Sequence, residues 1–499
     1  MTNIDFNIRN NDSVEVICSK RTPAITLFFD TEFDQKFLDD RLIIKLPDFL
    51  GHLNALNDFL DDDNLSVTVA DALVSIINKF PSYDEALNVP SISKKMLSDR
   101  LDQWDFKRTL TEEQTNNLLK LCSLKAGASF SVPGAGKTTE ALGFYTYHQE
   151  SASSKLLIIS PLNAFASWDH EITQCLGPKN RISRLRGSIQ EMQKSLASNP
   201  RFMSLNYESL RSEERFNLIK TLIIENDEMM VILDESHRAK GPATAEQLLN
   251  LAPYIHKKLI LTGTPMPQAP TDLKSQFLFL YPQEYIPMAE ELLEKFIPLY
   301  VRTTKRDLKL MDPIVVPHKV VPYPAFDAFY RKYFIKDLKP GITLEEMFTV
   351  TSFRKAVLAW IMLLSNPLLK FKEIFRIDPN LALEIQDEGY GAKFDAVIET
   401  SKKLIAEGEK VVIWSSFVKN VELLAEEFGT QAVFIHGKVN SEKSEAENYK
   451  TIETRESRIK RFKEDPACMV LVANPGAAAE SISLHEHCNH ALYLDRTYN

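Results

Sequence analysis

From about Gln114 onward, short unbroken apolar runs recur at Ser129–Val132, Leu156–Ser160, Phe202–Leu205, Met230–Asp234 and Leu259–Thr262. Runs this short and this uniformly apolar read as strands buried on both faces, and helical stretches separate several of them. Such alternation predicts a parallel sheet covered by helices. A helical region spans roughly Ala325–Lys370. A second alternating set follows at Val411–Ser415, Ala432–Ile435, Met469–Ala473 and Ala491–Asp495. The first hundred residues keep a different rhythm. Short β-like runs at Val14–Cys18, Ala24–Phe29 and Leu42–Lys45 lead into helical patterns at Leu46–Leu60 and Val67–Phe80, which predicts a separate, small α+β unit. The expected fold class is α/β: two parallel-sheet lobes at 105–305 and 391–499, a helical insert at 306–390, and the α+β domain at 1–104.

Charge changes this picture more than composition does. Of the net charge of -9 over 499 residues, the first hundred carry -7, with 10 Lys and Arg against 17 Asp and Glu. Nucleic acid is not expected to bind there. The remainder is near neutral and carries two basic clusters, Arg302/Lys305/Arg306/Lys309 and Arg455/Arg458/Lys460/Arg461/Lys463, each read first as a solvated helix face. Asp61-Asp62-Asp63-Asn64 reads as a solvated loop rather than a cation site. Met1–Asp12 is polar, no apolar run approaches the length of a membrane span, and Cys18, Cys122, Cys175, Cys468 and Cys488 are scattered without CxxC pairs. A cytoplasmic protein with reduced thiols and no membrane partner is expected.

Two stretches carry chemistry. Ser131-Val132-Pro133-Gly134-Ala135-Gly136-Lys137-Thr138-Thr139 reads as a phosphate-binding loop between a strand-like Ala128–Val132 and a helical run from Lys137 to about Tyr147. Gly134 and Gly136 let backbone N–H groups turn inward around a phosphate. Lys137 would neutralise its outer oxygens, and the Thr138 hydroxyl would ligate Mg²⁺. Ser131 departs from the strict pattern, which places a glycine there. The second stretch, Val231-Ile232-Leu233-Asp234-Glu235-Ser236-His237, sets two carboxylates at the end of a buried strand. Asp234 there would hold Mg²⁺ through water, and Glu235 would polarise the attacking water. His485-Glu486-His487-Cys488-Asn489-His490 packs its ligands too closely, with no second cluster at zinc-like spacing, to read as a metal site.

With these residues in place the chain resembles a known family. Asp234-Glu235-Ser236-His237 resembles the DExH motif of superfamily 2 helicases, and Leu261-Thr262-Gly263-Thr264-Pro265 resembles their motif III. Pro161-Leu162 with Trp168-Asp169-His170-Glu171, Asn206-Tyr207-Glu208, and Asp272-Leu273 through Phe279-Leu280-Tyr281-Pro282 narrow the likeness to the Swi/Snf-like branch of double-stranded DNA translocases. Arg302-Thr303-Thr304-Lys305-Arg306-Asp307, Asn366-Pro367-Leu368-Leu369, Val412–Phe417, His436-Gly437-Lys438, Arg458–Phe462 and Asn474–Leu484 also have counterparts. The resemblance covers roughly 106–499 in order.

The resemblance implies two RecA-like lobes of the P-loop NTPase kind with ATP and Mg²⁺ as cofactors. Asp234, Glu235 and Lys137 would be catalytic. Gln114 would read adenine, while Pro133, Gly134, Ala135, Gly136, Lys137, Thr138 and Thr139 hold the phosphates. His237 and Thr262/Thr264 would couple the γ-phosphate to closure of the lobes. The partner implied is double-stranded DNA, gripped along its backbone independently of sequence and in a salt-sensitive way. Trp168 is read as core packing. In the family, motif VI follows shortly after the strand that ends near Asp495, and its arginines reach the γ-phosphate; the chain is read as ending before it. The expected activity is ATP-driven translocation on double-stranded DNA. An ATP-gated scaffold without turnover and a strand-separating helicase on RNA or DNA are the alternatives. A prokaryotic or phage source is suggested by the compact motif core. Relatives of this kind often serve restriction or anti-phage systems with a nuclease on the chain or as a partner.

Overall fold

The computed structural model describes residues 2–9, 12–33, 35–61, 65–79, 83–226, 228–284, 289–310, 313–335, 348–349, 352–439, 453–478, 484 and 487–497. They fall into two compact units, Met1–Asp312 and Pro313–Asn499. The first opens with a four-stranded sheet of order β3-β2-β1-β4, made of β1 (Thr2–Arg9), β2 (Ser13–Cys18), β3 (Arg41–Lys45) and β4 (Leu65–Val69). β1 to β3 are antiparallel neighbours, and β4 joins β1 in parallel. Strict alternation along β1 and β2 buries Ile4, Phe6, Val14, Val16 and Cys18 on one face. Helices α1 (Pro23–Phe33), α2 (Leu46–Gly51), α3 (Leu53–Leu60) and α4 (Asp71–Lys79) complete this part.

Two expectations need correction here. Ala24–Phe29 is not a strand but lies inside α1, where Ile25, Phe29 and Phe33 recur every fourth residue and are buried together. The start of the Val67–Phe80 pattern is strand β4, and its helix begins only at Asp71. Asp62–Asn64 lie outside the described residues.

Helices α5 (Tyr83–Leu87) and α6 (Lys94–Gln103) lead into a seven-stranded, wholly parallel sheet of order β11-β5-β10-β9-β6-β8-β7. Its strands are β5 (Ala126–Ser129), β6 (Leu156–Ile159), β7 (Ile182–Arg184), β8 (Phe202–Leu205), β9 (Met230–Asp234), β10 (Lys257–Leu261) and β11 (Tyr300–Val301). β6 and β8 to β10 lie where expected; β5 precedes the expected Ser129–Val132 and shares only Ser129 with it, and β7 and β11 are additional. Helices α7 (Glu112–Leu121), α8 (Lys137–His148), α9 (Phe165–Leu176), α10 (Ile189–Ala197), α11 (Glu213–Ile224), α12 (Pro242–Leu251), α13 (Lys274–Leu280) and α14 (Ala289–Phe296) belong to this lobe. In register across three adjacent strands, Ser129 of β5, Leu261 of β10 and Asp234 of β9 end at one level. That level is where an open parallel sheet places its ligand.

The small sheet and the large one share an apolar core, which runs from Phe6, Phe29 and Phe49 to Tyr254, Phe277 and Tyr281. Tyr83 bridges them. Its ring centre lies 5.9 Å from those of Phe277 and Tyr281, and its hydroxyl donates to the Lys295 carbonyl at 3.0 Å. Lys220 of α11 adds a polar contact, 3.7 Å from Asp12.

In the second unit, helices Pro324–Tyr330, Phe353–Ser365, Phe371–Ile377, Pro379–Asp387 and Ala392–Ala406 precede a parallel sheet. Its order is β13-β14-β12-β15, from β12 (Val411–Trp414), β13 (Ala432–Ile435), β14 (Val470–Ala473) and β15 (His490–Tyr493). All five cysteines are free thiols. No helix among the described residues is long and apolar enough to cross a membrane. The α/β class with two parallel-sheet lobes is the fold observed.

Candidate nucleotide site

The loop after β5 has the shape its residue types predict. Gly134 and Gly136 both take the left-handed backbone conformation, with φ of 85° and 80°, which side chains with a Cβ adopt at a cost. A Cβ at Gly134 would meet nothing within 4 Å, whereas one at Gly136 would lie 2.1 Å from Gln114 Nε2. Gly136 is thus required twice, for its backbone and for the closeness of Gln114. It caps α8, a twelve-residue helix whose first N–H groups face the loop and favour an anion. Lys137 Nζ rests 3.5 Å from the Val132 carbonyl.

Gln114 lies at the loop, as the resemblance implies. It closes a capping box at the start of α7: Thr111 Oγ1 accepts from Gln114 N at 3.2 Å, and Gln114 Oε1 accepts from Thr111 N at 2.9 Å. Its Nε2 points to the Ala135 carbonyl at 3.5 Å. Thr139 turns inward. It is 2% exposed, and its hydroxyl donates to Glu171 of α9, so only its backbone remains for a phosphate.

At the end of β9, Asp234 accepts the Trp168 indole N–H at Oδ2 over 2.8 Å and the Glu235 amide at Oδ1 over 3.0 Å. Burial, then the neighbouring Glu235 charge, lift its carboxyl to about 6, and the Lys137 charge works in the opposite direction. Glu235 sits at φ 51°, ψ 51°, a left-handed conformation uncommon outside glycine. Such strain is held by its surroundings: Tyr207 OH donates to the Asp234 carbonyl at 2.8 Å, and Ser236 Oγ donates to Gln276 at 2.7 Å. The ring of His237 is drawn toward motif III. Its Nδ1 lies 3.0 Å from Thr262 Oγ1, 3.4 Å from Glu235 Oε2 and 3.5 Å from Thr264 Oγ1, and Thr264 N donates to Thr262 Oγ1 at 3.1 Å.

Sequence reasoning missed one feature of this site. Trp168 is core, as expected, at 1% exposed, yet its N–H also fixes a carboxylate oxygen of Asp234. A buried indole must satisfy its one donor, and that requirement was the available signal. One turn further on α9, Glu171 accepts from Thr139 and, at 2.7 Å on both oxygens, from Arg108 of the segment before Gln114. One helix face therefore props both the carboxylate end and the Gln114 end of the site.

The second unit is built around amide side chains. Asn474 Nδ2 donates to the Ser415 and Ser416 carbonyls at 3.2 and 2.8 Å, and Asp495 accepts from Ser415 Oγ and Ser416 N at 2.6 and 2.7 Å. Asn366 is buried and donates to Asn420 Oδ1 at 3.0 Å. The basic cluster at 455–463 is not simply a solvated helix face. Arg455, Arg458 and Arg461 donate to the carbonyls of Val439, Phe434 and Thr430 at 2.8, 2.9 and 2.7 Å, bracing β13. Residues 479–483, 485 and 486, which include nearly half of the motif V counterpart and part of the His/Cys cluster, lie outside the described residues.

The residues that end β5, β9 and β10 all fall within one stretch of known sequence type. Residues 129–312 match the SNF2-related domain. This match supports the Swi/Snf-like superfamily 2 relation that the motifs imply. Curated relatives agree over similar lengths. The DNA repair and recombination protein RAD54-like of Drosophila willistoni is 27% identical over 166 residues, 30% of this chain and 20% of that protein. The human DNA annealing helicase and endonuclease ZRANB3 is 28% identical over 158 residues, 30% of this chain and 14% of that protein. The chain thus matches a fifth or less of the length of these relatives. Among solved structures, the Sulfolobus solfataricus SWI2/SNF2 ATPase core in complex with dsDNA is similar at 19% identity, covering 79% of this chain and 83% of that one with a TM-score of 0.37.

Proposed function

We propose that this chain binds ATP with Mg²⁺ at the phosphate loop and hydrolyses it in response to double-stranded DNA, along which it translocates. The observation that carries this reading is the register that sets Ser129, ahead of the left-handed glycines, level with Asp234 across β5, β10 and β9. The residues fit the cofactor: a helix N-terminus and Lys137 suit phosphate, and the Thr138 hydroxyl with the Asp234 carboxylate suits Mg²⁺. When bound, Mg²⁺ neutralises charge on the transferred phosphoryl group. Glu235, Nδ1 of His237 within reach, is placed to take the proton of an attacking water. Gln114, set against the loop, reads the base. His237, Thr262 and Thr264 link that chemistry to motif III.

The DNA assignment rests on the SNF2-related match and on relatives whose names describe DNA repair and recombination, DNA annealing and DNA binding. The division into 1–104, 105–305, 306–390 and 391–499 is retained as the functional one, with the acidic 1–104 as a partner-docking part. A restriction or anti-phage setting, with a nuclease partner, is the wider role, testable by plaque counts with and without the intact gene.

The central experiment is turnover with duplex DNA, single strands and RNA as activators. Duplex DNA should stimulate most, and Lys137→Ala and Glu235→Gln should each abolish stimulation while Glu235→Gln still binds nucleotide. ATP binding with no DNA-stimulated turnover would favour the scaffold instead. Unwinding of a duplex, rather than triplex displacement without unwinding, would favour the helicase.

A further inference from the structure

Beneath the phosphate loop lies a polar cluster that the nucleotide chemistry does not use. Glu140, one turn after Lys137 on α8, has no exposed surface. Its Oε1 accepts from Asn117 Nδ2 at 2.7 Å and its Oε2 from Ser129 Oγ at 2.9 Å. The Asn117 amide, on α7, also donates to Thr303 Oγ1 at 2.8 Å. Ser131, which replaces the expected glycine, buries its hydroxyl completely and accepts the Thr303 N–H at 3.0 Å. Thr303 is 3% exposed and is therefore held on two sides, by α7 through its hydroxyl and by the loop entrance through its amide.

The spacing gives this cluster direction. Lys137 and Glu140 stand three apart on α8, and Gln114 and Asn117 stand three apart on α7, so each pair shares a helix face. The phosphate end has a fully buried partner one turn away, Glu140, and the base end a half-buried one, Asn117. Asn117 bonds Thr303 directly, and Glu140 reaches it through Asn117. On either side of Thr303 the chain carries Arg302 and then Lys305, Arg306 and Lys309 at the surface, in a turn closed by Asp307, which accepts from Thr304 N at 2.7 Å and Thr304 Oγ1 at 2.8 Å. A largely buried network whose members have partners is stiff, and it shifts between discrete arrangements rather than deforming gradually.

We propose that Thr303 is a positioning residue that makes the basic turn at 302–309 respond to nucleotide at the phosphate loop. The proposal rests on the nucleotide-binding reading above. A merely structural Thr303 would set the melting temperature and nothing nucleotide-dependent.

The test is limited trypsin digestion of the full chain, with cleavage after Arg302, Lys305, Arg306 and Lys309 followed by mass spectrometry. It is run with and without a non-hydrolysable ATP analogue and Mg²⁺. In the unmodified chain, saturating analogue should change the cleavage rate at this turn by about threefold or more. Thr303→Val should bind a fluorescent ATP analogue within about twofold of the unmodified chain and lose the cleavage response, and Thr303→Ser should restore it. Asn117→Ala, which removes the same bond from the other side, should lose the response even if Thr303→Val does not fold. A chain that binds the analogue with no change at the turn overturns the proposal and leaves the binding reading intact. A full response in folded Thr303→Val overturns it as well. An unmodified chain that binds no nucleotide overturns both.

Discussion

Trp168 shows how much of the site depends on one hydrogen. Its ring fills the core between α9 and the sheet, and its N–H is the only part directed at chemistry, 2.8 Å from Asp234 Oδ2. Groups that orient a metal-binding carboxylate typically govern metal affinity by about ten- to a hundredfold. Trp168→Phe keeps an aromatic ring there, at the cost of some core volume, and removes that donor. Half-maximal Mg²⁺ for turnover should then rise by about tenfold, with ATP affinity in the absence of Mg²⁺ unchanged. A Mg²⁺ titration of DNA-stimulated hydrolysis reads this directly, and an unshifted titration would mean that the Glu235 amide alone holds Asp234. Ser131 teaches a related lesson. Read as a departure from the loop pattern, it is a hydroxyl with a definite partner, Thr303 N–H.

At the scale of elements, α8 carries the candidate phosphate site at one end and an uncharged imidazole at the other. His148 keeps some surface, but its Nε2 is sealed off without a partner, and its ring centre packs 4.5 Å from that of Phe144. Burial, helped by the Lys257 charge, pushes its proton affinity down to about 3. Unfolded, the ring takes up a proton near pH 6.5; folded, it stays neutral until about 3. The unfolded state therefore binds more protons in this window, so stability falls with falling pH by up to about 1.4 kcal/mol per unit. Urea melts of His148→Phe against the unmodified chain at pH 6.5, 5.5 and 4.5 should show a flatter dependence for the variant. Parallel curves would show that the imidazole is charged in the fold. The elements themselves were unequally legible. β8 and β9 fall where their apolar runs predict, because a strand buried on both faces writes its limits into composition, and β13 does so with Ala432 and Phe434 only half-buried. α1 did not, since Ala24–Phe29 is apolar enough to pass for a strand until Phe33 is counted at helical spacing. β1 was overlooked although Ile4, Phe6 and Ile8 alternate with Asn3, Asp5 and Asn7, and β7 and β11 are too short to carry a period. The phosphate loop and Asp234-Glu235 were legible because their chemistry needs fixed residue types in one stretch. The Trp168 bond to Asp234, the Glu171 bridge and the Thr303 clasp join residues 32 to 186 positions apart. Local pattern does not encode such pairings.

For the molecule as a whole, the consequential feature is that the small N-terminal sheet and the first parallel-sheet lobe bury one apolar cluster between them. A shared core makes two elements one cooperative unit, because neither can open without exposing the other. Phe6 lies on the buried face of β1, 1% exposed, with Phe49 at 5.8 Å between ring centres. It is far in sequence from the phosphate loop. Phe6→Ala should cost about 3–5 kcal/mol through lost burial and the cavity left behind. In a cooperative unit that loss is felt throughout. Binding of a fluorescent ATP analogue, followed with temperature alongside circular dichroism, should disappear in the same transition as the secondary structure and at a lower temperature than in the unmodified chain. If the variant instead melts in two steps and still binds the analogue after the first, the acidic sheet is an independent passenger. Coincident melting would mean that any partner docking on the acidic sheet acts on the stability of the nucleotide lobe itself, by binding the folded form alone.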